Sequence, residues 1–330
     1  MNSTSKPKVS VVIPAYNAAE FLAEALDSVL AQTYQPVDVI VVDDGSEDET
    51  PQIAAAYASK VTYVRQRRSG PACARNTGIR AASGDWIALL DQDDVWMPEL
   101  LEKLLKKAVE TQADLAFCAW VPLINGNVIG PTILEQNGVK ARLDTLAPCG
   151  VLLNPFELLL EVGPYFSPSS MVARRESVLQ IGLFDEDIYC TDDLDLWLRL
   201  SLKYRFAVLN DALSLRRIHA RNTSNDTWTM LTNEIKTYEK LERHAPTVIP
   251  GTRWRKLLRK RMASKLRDQG AGFLERGDLL LARQSWAKGF RASCSLRLAA
   301  YWLATFLPQS CVEGLRNWKR QALFVLGYKY

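Results

Sequence analysis

Residues 84–94 read Gly84-Asp85-Trp86-Ile87-Ala88-Leu89-Leu90-Asp91-Gln92-Asp93-Asp94. The apolar run Trp86 to Leu90 has the length and composition of a buried strand, and carboxylates follow at once at Asp91, Asp93 and Asp94. An open α/β sheet binds its ligands outside the carboxyl ends of its strands, so these acids stand where such a sheet places its chemistry. Carboxylates two residues apart on a strand end can share one cation, and Mg2+ takes one or two of them and completes its shell with substrate phosphates. The plainer reading of the same stretch is a solvated acidic turn, with Asp94 as the N-cap of a helix that begins near Pro98. The surrounding sequence decides between the two.

Short apolar runs alternate with helical patterns on both sides of this segment. Val9–Ile13, Val37–Val42, Val61–Val64, Trp86–Leu90 and Asp114–Ala119 read as strands, and residues 18–32, 48–59, 71–82 and 97–111 as helices. Regular βα alternation, with strands nearly uninterrupted in Val and Ile, predicts a mostly parallel α/β sheet covered by helices on both faces. Between 120 and 170 Gly, Pro and Asn scatter through an irregular insert of the kind that forms binding loops. A strand at Ser169–Ala173, a helix over 191–203 and short strands at 206–209 and 213–218 follow. Beyond 226 the pattern is helical throughout. Residues 277–293 have the spacing of one helical-repeat unit, and a single unit makes no solenoid. The expected organisation is a catalytic body over 1–225, with halves at 8–120 and 121–225, and a basic helical C-terminal region over 226–330.

Composition narrows the classes further. The chain of 330 residues is 48% hydrophobic and 24% charged, an ordinary globular balance. Six cysteines without a CxxC pair, and only two histidines, His219 and His244, predict neither a zinc site nor a disulfide framework. The polar start MNSTSKPK predicts no secretory leader, and no apolar run approaches the roughly 18 residues of a membrane span, so a cytoplasmic protein is expected. The net charge of +4 conceals a division. Residues 251–330 hold 17 Lys and Arg against 4 Asp and Glu, whereas residues 1–250 hold 24 against 33. An acidic body is unsuited to nucleic acid. The basic region, with Arg253, Arg255, Lys256, Arg259, Lys260 and Arg261 around Trp254 and with Trp302 and Trp318 farther on, suits an anionic membrane surface. A solvated basic helix face with tryptophans in the core is the alternative.

Three more segments end at the same edge of the expected sheet. The first strand runs into Pro14-Ala15-Tyr16-Asn17, and its turn lacks the G-x-G-x-x-G that close approach of a dinucleotide needs. The second ends in Asp43-Asp44-Gly45-Ser46. One of these carboxylates could accept a hydrogen bond from a base N–H, while Ser46 or Asp48 could cap the next helix. The third, Arg68 to Gly78, opens a helix with Gly70-Pro71 and carries Arg75 one turn later, an arrangement suited to a diphosphate.

Taken in order, VSVVIPAYN (9–17), VIVVDDGSEDET (39–50), GPACARNTGI (70–79) and GDWIALLDQDDVWMP (84–98) resemble the N-terminal half of a family 2 glycosyltransferase. The resemblance is strong over residues 8–120 and looser to about 224. It implies the glycosyltransferase-A fold, a nucleotide-diphospho-sugar transferase sheet followed here by a helical appendage. It also implies that Pro14, Tyr16 and Asp44 hold the base of a nucleotide-sugar, with Asn17, Asp43, Asp91 and Gln92 in the same donor set. Arg75 and Asn76 match the segment beside the donor phosphates and ribose. Asp93, with Asp91, would reach Mn2+ or Mg2+ bridging the diphosphate.

Farther on, TDDLDLWLRL (191–200) resembles the segment whose second acid is the general base. That makes Asp193 the base, with Asp192 in the place of the usual glutamate and Trp197 beside it on the acceptor side. His219, after the last strand, matches a position that touches the metal or the diphosphate; His244 is assigned no role.

The activity so implied moves a sugar, with a UDP-sugar as the default donor, to a hydroxyl of a saccharide or lipid-linked saccharide. The displacement is single and inverting, and the setting is cell-surface polysaccharide assembly at the inner face of the membrane. Two other classes stay open. A Mg2+-dependent nucleotidyl or phosphoryl enzyme would offer a glycine- and basic-rich loop after its first strand, which PAYNAAE is not. A non-catalytic sugar-binding relative would be marked by loss of Asp93 or Asp193, and both are present.

Overall fold

The computed structural model describes residues 6–35, 37–244 and 253–306. The chain begins β1 (Val9–Ala15), α1 (Leu22–Leu30), β2 (Val37–Asp43), α2 (Thr50–Ala56), β3 (Val61–Arg65), α3 (Pro71–Ala81) and β4 (Trp86–Leu89). It continues through β5 (Val95–Trp96), α4 (Leu100–Thr111), β6 (Leu115–Ile124) and β7 (Asn127–Val128). The insert then carries three short helices, α5 (Ile133–Gln136), α6 (Leu143–Leu146) and α7 (Pro155–Val162). After it come β8 (Met171–Arg174), α8 (Arg175–Gln180), α9 (Asp192–Ser201) and β9 (Phe206–Arg217). Among the described residues, those up to 225 form one compact unit and those from 226 onward another.

The sheet of the first unit has the order β3-β2-β1-β4-β8-β6-β9-β5, with β7 paired to β6. β1 to β4 run parallel, and β6 and β9 are parallel to each other. β8 enters between β4 and β6 antiparallel to both, so the sheet is mixed although mostly parallel. Every residue of β1 and β4 is buried, because helices cover both faces, and this is why these strands carry Val and Ile without alternation. α3 lies tightly on β1: a Cβ built on Gly78 would stand 2.2 Å from Val12 Cγ1.

Three details depart from the expected elements. The two short strands at 206–209 and 213–218 are one strand, β9, in which Asn210 and Asp211 bulge out between the pairs Cys118–Leu209 and Ala119–Ala212. Their polarity, with Asp211 bonded to Lys103 at 2.9 Å, is what broke the apolar pattern. β5, two residues long, has no periodicity to read. Asp94 does not cap α4, whose N-cap residue is Glu99; it is buried elsewhere, as described below.

The second unit contains α10 (Thr227–His244), α11 (Arg253–Glu275), α12 (Leu279–Ser293) and α13 (Leu296–Ala304). Trp254 and Trp286 are buried in it, and Gly270 lets Trp286 close on α11, since a Cβ there would meet the indole at 2.3 Å. Leu296, Leu303 and Phe306 are exposed. Trp318 lies outside the described residues, among which no helix is long and apolar enough to cross a membrane.

Candidate active site

The chain fills β1, β2 and β3 outward in one direction and then places β4 on the other side of β1, so the strand order reverses between β1 and β4. In such sheets the crevice for a ligand opens at that reversal. Proline makes it open here. Leu90 N–H donates to the Val12 carbonyl at 3.1 Å, the last rung of the β1–β4 ladder. The next rung would need an N–H at Pro14, which has none, so the two strands part. Beyond the gap Gln92 rejoins them: its Oε1 accepts from Tyr16 N–H at 2.6 Å and its Nε2 donates to the Tyr16 carbonyl at 3.2 Å. The Tyr16 ring lies under the Arg68 guanidinium, 4.1 Å from its centroid.

The acidic turn is held from three sides. Asp91 N–H donates to Ser169 Oγ at 3.0 Å, which ties the turn to the segment leading into β8. Asp94 is buried and accepts from Arg217 N–H at 3.0 Å, joining the turn to the end of β9. Burial, with Asp93 and Asp91 nearby, raises its carboxyl well above the ordinary range. Asp93 Oδ2 meets His219 Nε2 at 2.9 Å and accepts from Asn222 Nδ2 at 3.2 Å. Burial and the Asp91 charge raise the Asp93 carboxyl, against the opposing bond to His219. His219 Nδ1 accepts from Arg221 N–H at 3.2 Å, so the ring proton sits on Nε2 and points at Asp93.

Arg75 links this turn to the second half of the body. From the first turns of α3, Nη2 donates to Asp91 Oδ1 at 2.8 Å and Nη1 to Asp192 Oδ2 at 2.6 Å. The guanidinium is buried and its Nε has no partner in the protein among the described residues. Burial works against its charge, yet Asp91 and Asp192 more than offset this and hold its pKa above the usual value. Asp192 opens α9 and is buried, which raises its carboxyl, while Arg75 opposes the rise. Asp193, the next residue, is half-buried. Burial, with Asp192 adjacent, pushes it up to about 7 against the pull of Arg75. The two acids therefore differ: Asp192 is pinned by an ion pair, and Asp193 stands beside it with a raised affinity for protons.

Other expected site residues have local duties that the chain alone does not announce. Both Asp44 oxygens are engaged: Oδ1 accepts from Ser69 N–H and Gln66 Nε2 at 2.8 Å, and Oδ2 from Gly70 N–H at 2.7 Å. Asp44 thus shapes the loop that opens α3, where Gly70 takes φ 93°. Asp43 is wholly buried, accepts from Ser46 N–H at 2.8 Å and receives the Tyr63 hydroxyl, whose pKa burial and this carboxylate push up to about 12. Asn17 spans the crevice mouth, donating its N–H to Ser46 Oγ and accepting from Glu47 N–H, each at 2.9 Å.

The Asn76 side chain is buried and engaged within the protein. Its amide bonds the N–H and carbonyl of Phe184 at 2.9 Å each and Glu186 at 2.8 Å, fastening the lead-in to α9. Trp197, expected on the acceptor side, is 0% exposed and packs against Phe166 and Phe184, so it supports the site from within the core and does not line it. Reading along the chain did not find Ser169, Arg217 and Asn222, which hold the acidic turn through contacts tens of residues or more away in sequence, nor Phe21, which packs on His219. His219 and Asp93 were both expected; their direct contact was not.

Asp91 and Asp93 are the residues of this turn whose carboxylates could serve a divalent cation as hard oxygen donors. Among the described residues no group of three or more His, Cys, Asp or Glu is arranged to hold an ion by itself. Two carboxylates and no closed cage suit an ion whose remaining ligands come with the substrate.

Residues 10–142 match the family model described as glycosyl transferase family 2. An uncharacterized glycosyltransferase of Rickettsia prowazekii is 34% identical over 240 residues, which cover 71% of this chain and 70% of that protein. Among solved structures, S. aureus TarS in complex with UDP-GlcNAc aligns with a TM-score of 0.69 at 17% identity, covering 98% of this chain and 93% of that one. The mannosyltransferase PcManGT from Pyrobaculum calidifontis, in complex with GDP-Man and Mn2+, aligns with a TM-score of 0.58 at 19% identity, covering 96% and 88%. The structural likenesses carry the fold, and the sequence likenesses carry the family: the chain belongs to glycosyltransferase family 2.

Proposed function

We propose that this chain transfers a sugar from a nucleotide-sugar, with a UDP-sugar as the default donor, to a hydroxyl of a saccharide or lipid-linked saccharide, with inversion at the anomeric carbon. The observation that carries the reading is the Arg75 bridge. One guanidinium bonds both Asp91, at the donor edge of β4, and Asp192, beside the candidate base, so the two halves of the site share one rigid link. Solved relatives of the same fold hold UDP-GlcNAc and GDP-Man, which supports a nucleotide-sugar as the donor class.

In this mechanism Asp193 accepts the proton of the acceptor hydroxyl as its oxygen attacks the sugar. A carboxyl raised to about 7 is a stronger base than an ordinary aspartate and is still half ionised near neutrality. Asp192, held by Arg75, keeps a second carboxylate next to it and so maintains that basicity. Tyr16 and the backbone around Asn17 and Asp44 form the wall on which the base would lie. Asp91 and Asp93 would hold Mn2+ or Mg2+, which when bound neutralises charge developing on the departing nucleoside diphosphate. His219 orients Asp93 for that task. One displacement at the anomeric carbon inverts its configuration.

The test is calorimetric binding of UDP-, GDP- and TDP-sugars with and without Mn2+, on the wild type and on Asp93→Ala, together with product detection. Metal-dependent binding of one donor that disappears in Asp93→Ala is the expected result. No binding of any donor by a folded wild type overturns the reading. An Asp193→Asn protein that binds donor and retains full transfer overturns the assignment of the base.

The C-terminal region is proposed to rest on an anionic membrane surface, where lipid-linked acceptors of cell-surface polysaccharide assembly are found. Its support is the charge of residues 251–330 and the exposed Leu296, Leu303 and Phe306.

A further inference from the structure

Phe21 is the residue before α1, caps nothing with its side chain and lies only partly buried. Three side chains of one distant segment nevertheless converge on its ring. His219 packs against it in a tilted arrangement, 4.8 Å between centroids and 31° between planes. Arg217 and Arg221 stand over it at 5.0 and 5.6 Å. The same two arginines pair with carboxylates flanking Phe21 in sequence, Arg217 with Glu24 and Arg221 with Glu20. The segment 217–222 is thus fastened to the start of α1 around one aromatic ring.

What this fastening controls is the plane of the His219 imidazole. The ring's two nitrogens are both committed, Nδ1 to Arg221 N–H and Nε2 to Asp93 Oδ2. Hydrogen bonds at both nitrogens restrain the ring along its edge, and a ring packed against it restrains its tilt. We propose that Phe21 is a positioning residue for the donor site. It holds His219 so that Nε2–H addresses the Asp93 carboxylate, and through this it sets which way Asp93 faces. The inference rests on the role given above to Asp93. Groups that orient a ligating side chain in this way typically matter by about 10–100-fold in affinity.

The chain has only two histidines, so His219 can be watched directly. The experiment is long-range proton–nitrogen correlation of 15N-histidine protein in mildly alkaline buffer, on wild type, Phe21→Leu, Phe21→Ala and Phe21→Tyr, with His219→Gln to assign the signals. Alongside it, Mn2+-dependent binding of UDP is measured by calorimetry. The expected result is a single Nε2–H tautomer for His219 in wild type and Phe21→Tyr. In Phe21→Leu and Phe21→Ala the tautomers should average, and Mn2+-dependent UDP affinity should fall about tenfold or more, with the melting temperature close to wild type. Phe21→Leu keeps the measurement open if Phe21→Ala does not fold.

An unchanged His219 tautomer and unchanged UDP affinity in Phe21→Leu overturn the proposal. If wild type binds no nucleotide at all, the glycosyltransferase reading fails, while the tautomer comparison still decides whether Phe21 orients His219.

Discussion

The raised carboxyl of Asp193 makes a sharp forecast about pH. With a pKa of about 7, Asp193 is ionised in roughly half the molecules at pH 7 and in about one in a hundred at pH 5. An aspartate at the ordinary 3.8 would still be more than about nine-tenths ionised at pH 5. If Asp193 is the base, kcat/KM therefore rises with unit slope through the acidic range and levels off only above neutrality. Asp192→Asn removes the neighbouring charge that helps raise Asp193 and leaves Arg75 to pull it down, so the acid limb moves to lower pH. Donor affinity measured across the same range separates this titration from that of the diphosphate.

A wild-type limb already flat by pH 5.5, or one that does not move in Asp192→Asn, refutes the reasoning. The same shift has a consequence for folding. Between 3.8 and about 7 the native state keeps a proton that the unfolded chain has lost, so this group's contribution to stability falls as pH rises through that window. Asp193→Asn should flatten that part of the stability profile.

Other outcomes follow from packing and charge. Arg75→Met leaves the buried Asp192 and the partly exposed Asp91 without their shared partner. It should cost about 3–5 kcal/mol in chemical denaturation, besides abolishing donor binding. Gly78→Ala drives a methyl into Val12 beneath α3 and should cost about 1–3 kcal/mol, with the loop at 66–70 losing protection from hydrogen exchange. In vesicle flotation at low salt, the protein should float with anionic lipid and dissociate as ionic strength rises; a wholly unbound protein sinks the membrane assignment.

Much of the donor half was legible because its determinants are local. β1, β2 and β4 announce themselves as apolar runs, and Tyr16, Asp44 and Asp91 follow those runs directly in the chain. Any sheet made of these strands puts them on one edge. The insert at 120–170 and the small β5 were not legible, since irregular backbone has no period to read. Asn76 and Trp197 show the limit of reasoning by position. Each stands in a segment that resembles a functional motif, yet Asn76 spends its amide on Phe184 and Trp197 is core.

Sequence alone determined that this chain builds a βα sheet ending in carboxylates, because backbone periodicity and strand-end residues are properties of neighbours in the chain. Only the tertiary structure decided that Arg75 reaches Asp192, that His219 lies between Asp93 and Phe21, and that β8 enters the sheet antiparallel between β4 and β6. These contacts join residues tens to about two hundred positions apart. A buried charge takes whichever partner the packing of whole elements brings within reach, and no local pattern encodes that choice.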